Sequence, residues 1–237
     1  ASVLCDLMSR EGVTHSAGVP TVWLSVFQHL DATGGDLGKL RHAIIGGSAA
    51  PRFMIERLMK NGTRVQHAWG MTETSPIGTV GGPTWDWDTL TLEQKVEKTA
   101  MQGRPIFGVQ LRTVDLDDMT TELPRDGKTS GALQIRGPWV IRRYFKAEKD
   151  ATNNEGWFDT GDLGHLLPDG SLVLTGRAKD TIVLSSGENI EPGPLEEALV
   201  ASPLIEQVLV VGQDRKQLGA LVVPKAAAES SDPALLR

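Results

Sequence analysis

GWFDTGDLGHLLPDGSLVLTGRAKDTIVLSSGENIEPGPLEE, residues 156–197, brings an acidic turn, a basic turn and the start of a further domain into one short segment. Thr160-Gly161-Asp162 reads as a turn, because Gly161 lets the backbone fold back and present the aspartate. Gly176-Arg177-Ala178-Lys179-Asp180 follows, then Gly187-Glu188-Asn189-Ile190. A lone TGD is ordinary turn chemistry, so it is the order of the three motifs that carries information. An upstream stretch, HAWGMTETSP at residues 67–76, adds an aromatic between two small residues and then a hydroxyl and a carboxylate, Thr72 and Glu73.

Working outward, Pro20 opens a predicted helix on which Val22, Trp23, Val26, Phe27 and Leu30 recur at helical spacing, and residues 41–45 read as a buried strand. Gly46-Gly47-Ser48 then turns into a helix begun at Pro51 and stopped at Asn61-Gly62, as in a parallel α/β crevice. Residues 81–100, with Trp85, Trp87 and a polar helix over 91–98, read as a surface excursion. Between residues 103 and 176, VQLRTVD, GALQIRG and GSLVLTG are separated by Asp, Gly and Pro turns, which predicts a small antiparallel barrel. After the linker at 176–180, a helix from Pro192 and the strands LIEQVLVVGQ and QLGALVVP predict an α+β unit.

These motifs resemble those of the AMP-forming, adenylate-making enzymes that activate carboxylic acids with ATP and pass the acyl group to a thiol. From Gly12 to Pro224 the sequence is similar to medium- and long-chain fatty acyl-CoA synthetases, through GVTHSAGVPTVWL, AIIGGSAAP, HAWGMTETSP, LTLEQKVEKTAMQGRPIFGVQLR and GPWVIRRYF. The end section is closer to the branch that charges acyl carrier protein. The resemblance implies an α/β fold in three parts: an α/β region (1–100) and a barrel-like region (101–176) of a large domain, a hinge at 177–181, and part of a small α+β domain at 182–237. It implies a fatty acid, ATP, Mg²⁺ and coenzyme A as ligands, and leaves a membrane-surface contact and a homodimer open, while composition and the single cysteine fit a cytoplasmic setting.

Carried over residue by residue, Ser48, Ala49 and Pro51 form the adenine-pocket wall beside Gly70, and Trp69 is the stacking aromatic, its face expected to be open between Ala68 and Gly70. Thr72 contacts phosphate, and Glu73 is the magnesium ligand, a hard oxygen of the kind Mg²⁺ takes alongside substrate phosphates. Asp162 and Arg177 hold the ribose, a carboxylate being able to accept from two vicinal hydroxyls as a fork. Lys179 sits at the hinge about which the small domain rotates between an adenylating and a thioester-forming pose. Val19, Trp23, Gly46, Gly47 and Gly70 are expected to wall the acyl tunnel, with the glycines leaving room for a chain.

The sequence departs from the pattern in places. Val183 stands where many relatives carry a lysine, and Arg142-Arg143 where a small residue is common. The Ser/Thr/Gly-rich phosphate loop and the C-terminal Gly-Lys lysine are not found, so the sequence reads as a fragment, expected to be inactive by itself, with a non-catalytic nucleotide-binding role as the alternative.

Composition bounds the remainder. The 237 residues carry a net charge of −6, against a nucleic-acid partner, and are 40% hydrophobic and 23% charged, ordinary globular usage. One cysteine, Cys5, forbids an internal disulfide and is expected to be core. The five histidines lack metal spacing, and His67 is expected to be packed rather than catalytic.

Overall fold

The computed structural model describes residues 1–200, 202 and 204–225. Helix α1 (Ser2–Arg10) leads into strand β1 (His15–Gly18), and Pro20 occupies the first position of α2 (Pro20–Thr33). There its missing N–H costs nothing and its fixed φ suits the helix. β2 (His42–Ile45), α3 (Arg52–Lys60) and β3 (Arg64–Trp69) complete the expected α/β run. β1, β2 and β3 are parallel, with His15 opposite His42 and His42 opposite Arg64. The sheet is then extended antiparallel by β4 (Thr79–Val80) and β5 (Arg104–Pro105), in the order β1-β2-β3-β4-β5. Trp23, Val26, Phe27 and Leu30 of α2 bury against Ala43 and Ile45 of β2 and Met54, Ile55 and Leu58 of α3, while Val22 faces outward. Cys5 is half-buried against this core.

Residues 81–100 are more than the expected surface excursion. Their helix α4 (Leu92–Ala100) is started by a capping box in which the Thr91 hydroxyl accepts from the Gln94 amide and the Gln94 side chain accepts from the Thr91 amide. It packs on α3 and β3 through Val96 and Thr99, 7% and 4% exposed. Trp85, by contrast, is fully exposed.

The second core lies under β6 (Gln110–Val114), β7 (Gly131–Arg136), β8 (Phe158–Leu166) and β9 (Leu172–Arg177), antiparallel neighbours in that order. Leu133, Ile135, Leu166 and Leu172 are fully buried there. The strands are those of the expected barrel, but the sheet is open: β6 and β9 stay at opposite edges. The free edge of β9 instead meets the first sheet, where the Leu172 amide donates to the Gly103 carbonyl and the Gln102 amide to the Leu172 carbonyl. Gly103, at φ +77°, permits the close approach of β4 beside this contact, since a Cβ there would overlap the Val80–Gly81 backbone.

Past a 3₁₀ turn at Ala178–Asp180, β10 (Ile182–Val183) pairs with β11 (Asn189–Ile190), and α5 (Pro192–Val200) packs on the hairpin of β12 (Ile205–Val211) and β13 (Gly219–Pro224). A small core of Ile182, Leu184 and Val210 holds this unit. Residues 226–237 of the expected small domain lie outside the described residues. Among those described, no helix is long and apolar enough to cross a membrane.

Candidate nucleotide site

Parallel strands β1, β2 and β3 end on the same side of their sheet, and the turns that follow converge there, the usual place for a ligand crevice. The β2 turn lies between its neighbours. A Cβ on Gly47 would come within 2.9 Å of Val19 Cγ1 after β1, and one on Gly46 within 3.1 Å of the Ala68 carbonyl oxygen in β3. Ser48 and Ala49 project from this turn exposed, with Pro51 half-buried behind them. His67, 1% exposed, anchors the turn: its Nε2 accepts from the Ala50 amide at 3.3 Å, so Nδ1 carries the proton and donates to the Ala100 carbonyl at 3.0 Å. Burial pushes its pKa below the ordinary value, outweighing the backbone hydrogen bonds that favour protonation. It is the packed histidine expected.

After β3, a 3₁₀ turn at Thr72–Thr74 is held from inside by Thr74, fully buried, whose hydroxyl accepts from the Met71 amide at 2.9 Å and donates to the Pro76 carbonyl at 2.8 Å. That leaves Thr72 exposed and Glu73 half-buried at the rim. The Glu73 carbonyl accepts from the Ile141 amide at 2.8 Å, and its carboxylate Oε1 accepts from the Tyr144 hydroxyl at 2.8 Å. The carboxylate beside it raises the phenol pKa of Tyr144.

Asp162 is where structure and sequence reading differ most. Thr160-Gly161-Asp162 is not a turn between strands but a bulge inside the nine-residue β8. Ala132 faces Leu163 and Gln134 faces Asp159, so three residues of β8 stand against Leu133 alone. Gly161 takes φ +71° in the bulge, a conformation cheap only for glycine. The Thr160 hydroxyl donates to the Leu133 carbonyl at 2.8 Å, and the Asp162 amide donates to that hydroxyl at 3.1 Å. The bulge re-aims Asp162, 5% exposed, between two donors: Trp69 Nε1 to Oδ2 at 2.8 Å and Arg177 Nε to Oδ1 at 3.0 Å. Arg177 is half-exposed and lies opposite Asp162 in the β8–β9 ladder. A carboxylate offers about four acceptor positions, so two remain for a ligand.

Two expectations require correction. Trp69 does not present an open stacking face: it is 7% exposed within the second core, and Gly78 packs against its ring closely enough that a Cβ there would overlap Cζ3. Its flanking small residues serve the backbone, since a Cβ on Gly70 would overlap the Pro76 carbonyl. Three residues of the expected acyl wall leave no room either: Gly46 and Gly70 are packed against backbone, and Trp23, 2% exposed, belongs to the helical core, while Val19 and Gly47 are exposed.

The structure therefore brings Trp69, Asp162 and Arg177 into one hydrogen-bonded unit, sets Glu73 against Tyr144, and places Ser48 and Ala49 on the turn beside Ala68. Lys179 is exposed on the 3₁₀ turn beyond Arg177. Tyr144 was missed because its segment reads as a surface turn; no spacing signal ties it to Glu73. No group of three or more His, Cys, Asp or Glu side chains is arranged to hold a metal among the described residues. A single rim carboxylate with a free oxygen fits a magnesium ion bound mainly through substrate phosphates.

Residues 1–145 match the family described as AMP-binding enzyme, and residues 179–237 match the AMP-binding enzyme C-terminal domain. The chain is 40% identical over 210 residues to a 3-methylmercaptopropionyl-CoA ligase of Ruegeria lacuscaerulensis, covering 88% of this chain and 38% of the relative. It is 39% identical over 209 residues to a medium-chain-fatty-acid–CoA ligase of Ectopseudomonas oleovorans, with the same coverage. Among solved structures, O-succinylbenzoate coenzyme A synthetase from Bacillus subtilis, in complex with ATP and magnesium, superposes with a TM-score of 0.74 at 29% identity, over 94% of this chain and 44% of that one. The chain thus spans about four tenths of the length of the curated relatives it matches.

Proposed function

Because this chain belongs to the AMP-binding enzyme family, we propose that the complete protein is an acid–thiol ligase. It activates a medium- or long-chain fatty acid with ATP as acyl-AMP, then passes the acyl group to coenzyme A. The observation that carries this reading is the Asp162 carboxylate, buried yet gripped from one side by Trp69 of the 67–76 segment and from the other by Arg177 at the end of β9. A buried charge held by two donors with acceptor capacity to spare is suited to a pair of vicinal hydroxyls. In this reading Asp162 accepts from the ribose, Arg177 and Trp69 keep the carboxylate oriented, Ser48, Ala49 and Pro51 border the adenine with Gly70, and Thr72 donates toward phosphate.

Glu73 would hold magnesium, through a carboxylate whose other oxygen accepts from Tyr144. When bound, the metal neutralises phosphate charge while the acid attacks in line. Residues 177–181 serve as the hinge: Arg177 stays paired with Asp162 in the sheet, and Lys179 absorbs the backbone change that lets residues 182–237 move. The small domain then supplies the thioester-forming pose.

A shorter, sulfur-bearing acid is the second reading of the substrate, favoured by the 40% identity to the methylmercaptopropionyl-CoA ligase. The deciding experiment is acid-dependent pyrophosphate exchange by the complete protein over fatty acids of graded length and 3-methylmercaptopropionate. Coenzyme A and acyl carrier protein are offered separately as acceptors. Failure of every acid in the panel to support exchange would refute the ligase reading in favour of a non-catalytic nucleotide-binding role.

A further inference from the structure

We infer that Tyr144 is a positioning residue for the metal-binding carboxylate of Glu73; this rests on the reading of Glu73 as the magnesium ligand. The segment from Trp139 to Tyr144 is joined to the 73–75 turn at three points. The Ile141 amide donates to the Glu73 carbonyl at 2.8 Å, the Ser75 hydroxyl to the Trp139 carbonyl at 3.0 Å, and the Tyr144 hydroxyl to Glu73 Oε1 at 2.8 Å. The far side of the same segment is fixed as well. Arg142 Nε donates to Asp150 at 2.8 Å, the Ala151 amide donates to the Arg142 carbonyl at 2.7 Å, and Trp139, Val140 and Ile141 pack on the second core. The phenol is therefore held by structure on both sides and in turn holds the carboxylate.

The consequence follows from the side chain's freedom. A glutamate at a rim rotates broadly about its terminal bond. With Oε1 tied to a phenol, Oε2 is left without a hydrogen-bond partner among the described residues, and one oxygen is what a small octahedral cation accepts while keeping its waters and phosphate ligands. Hydrogen-bond partners of metal-binding carboxylates are worth roughly 10- to 100-fold in affinity. Tyr144 is half-exposed, so replacing it with phenylalanine removes the hydroxyl without opening a buried cavity.

The test is manganese binding by the complete protein in the presence of a non-hydrolysable ATP analogue, read as the free-ion signal in electron paramagnetic resonance. Wild type, Tyr144→Phe, Glu73→Gln and the double variant are compared. Tyr144→Phe is expected to weaken manganese binding by about tenfold, and adding it to Glu73→Gln should weaken binding no further, because its effect runs through that carboxylate. In pyrophosphate exchange, Tyr144→Phe should raise the magnesium concentration for half-maximal rate and leave kcat at saturating magnesium near wild type. Unchanged manganese affinity in Tyr144→Phe beside a weakened Glu73→Gln would overturn the inference and leave the metal assignment standing. Losses that add in the double variant would likewise overturn it. A Glu73→Gln protein that binds manganese normally would overturn the metal assignment itself.

Discussion

Replacing Asp162 with alanine removes a charge that two parts of the molecule share, and its cost divides into two measurable parts. For folding, the Trp69 indole N–H loses its acceptor inside the second core. A buried donor left unpaired costs about 1–3 kcal/mol. Arg177 is half-exposed and regains water, so it adds little. For nucleotide binding, loss of a charged acceptor costs roughly 2–4 kcal/mol, or about thirtyfold to a thousandfold in ATP affinity or rate. Trp69→Phe separates the two, because it deletes the indole donor and leaves the carboxylate in place with Arg177. It should lose up to about 3 kcal/mol of stability, the upper range for a hydrogen bond to a charged group, with a smaller fall in ATP affinity than Asp162→Ala. Urea unfolding and ATP-dependent pyrophosphate exchange of the complete protein read the two parts. If Asp162→Ala keeps wild-type KM for ATP and kcat while losing only stability, the carboxylate is a structural tie and the ribose assignment is wrong.

Lys179→Pro fixes φ at 179 and biases Ala178 out of the 3₁₀ turn, so it should lock the linker in one pose. The complete protein should keep pyrophosphate exchange and lose thioester formation; parallel loss of both in a folded protein would remove the hinge role. His67 is buried neutral with its pKa depressed, so the unfolded chain binds the extra proton: its stabilisation is present above about pH 6.5 and is lost as pH falls, by up to about 1.4 kcal/mol at pH 5.5. His67→Gln should flatten that fall in thermal midpoint between pH 7.5 and 5.5, after allowing for His42, whose pKa is depressed by desolvation and by the stacked His15 ring. Gly103→Ala places a methyl on the Val80–Gly81 backbone and strains a φ of +77°, and should cost several kcal/mol by disrupting the β4–β5 pairing at the edge of the first sheet, seen as a fall in thermal midpoint.

Elements whose signal is local were legible in the sequence. The helices from Pro20 and Pro51, and the strands β6, β7, β9, β12 and β13, carry their period and their stops within their own residues. What failed depended on distant partners. β8 was hidden because Gly161 and Asp162 read as turn chemistry, whereas the glycine is a bulge that exists only against Leu133 of β7. A glycine inside an otherwise strand-like run was the available signal. Ala68 and Gly70 suggested an open indole, but small residues beside a large one serve equally to let backbone approach, and here Pro76 and Gly78 fill that space. The buried face of α4 was only partly readable: Val96 and Ala100 fall at i and i+4, but Thr99 supplies the other buried position and the apolar Leu92 is exposed.

The position of Arg177 also bears on where motion can begin. Its backbone is the last of β9 and lies opposite Asp162 in the β8–β9 ladder, while its side chain holds the same residue's carboxylate. Breaking that double attachment would release the charge that the ribose reading depends on, so a rotation that preserves nucleotide binding must start after 177. On the other side, Thr181 already leads into β10, whose Val183 amide donates to the Gln213 side chain and whose Val183 carbonyl accepts from the Asp214 amide beyond β12, joining it to the small unit. Only Ala178, Lys179 and Asp180, exposed and in a single 3₁₀ turn, lie outside both bodies. The hinge proposed at 177–181 thereby narrows to three residues with Lys179 at their centre. A backbone restriction placed there should divide the two half-reactions, whereas the same restriction at Arg177 should abolish both.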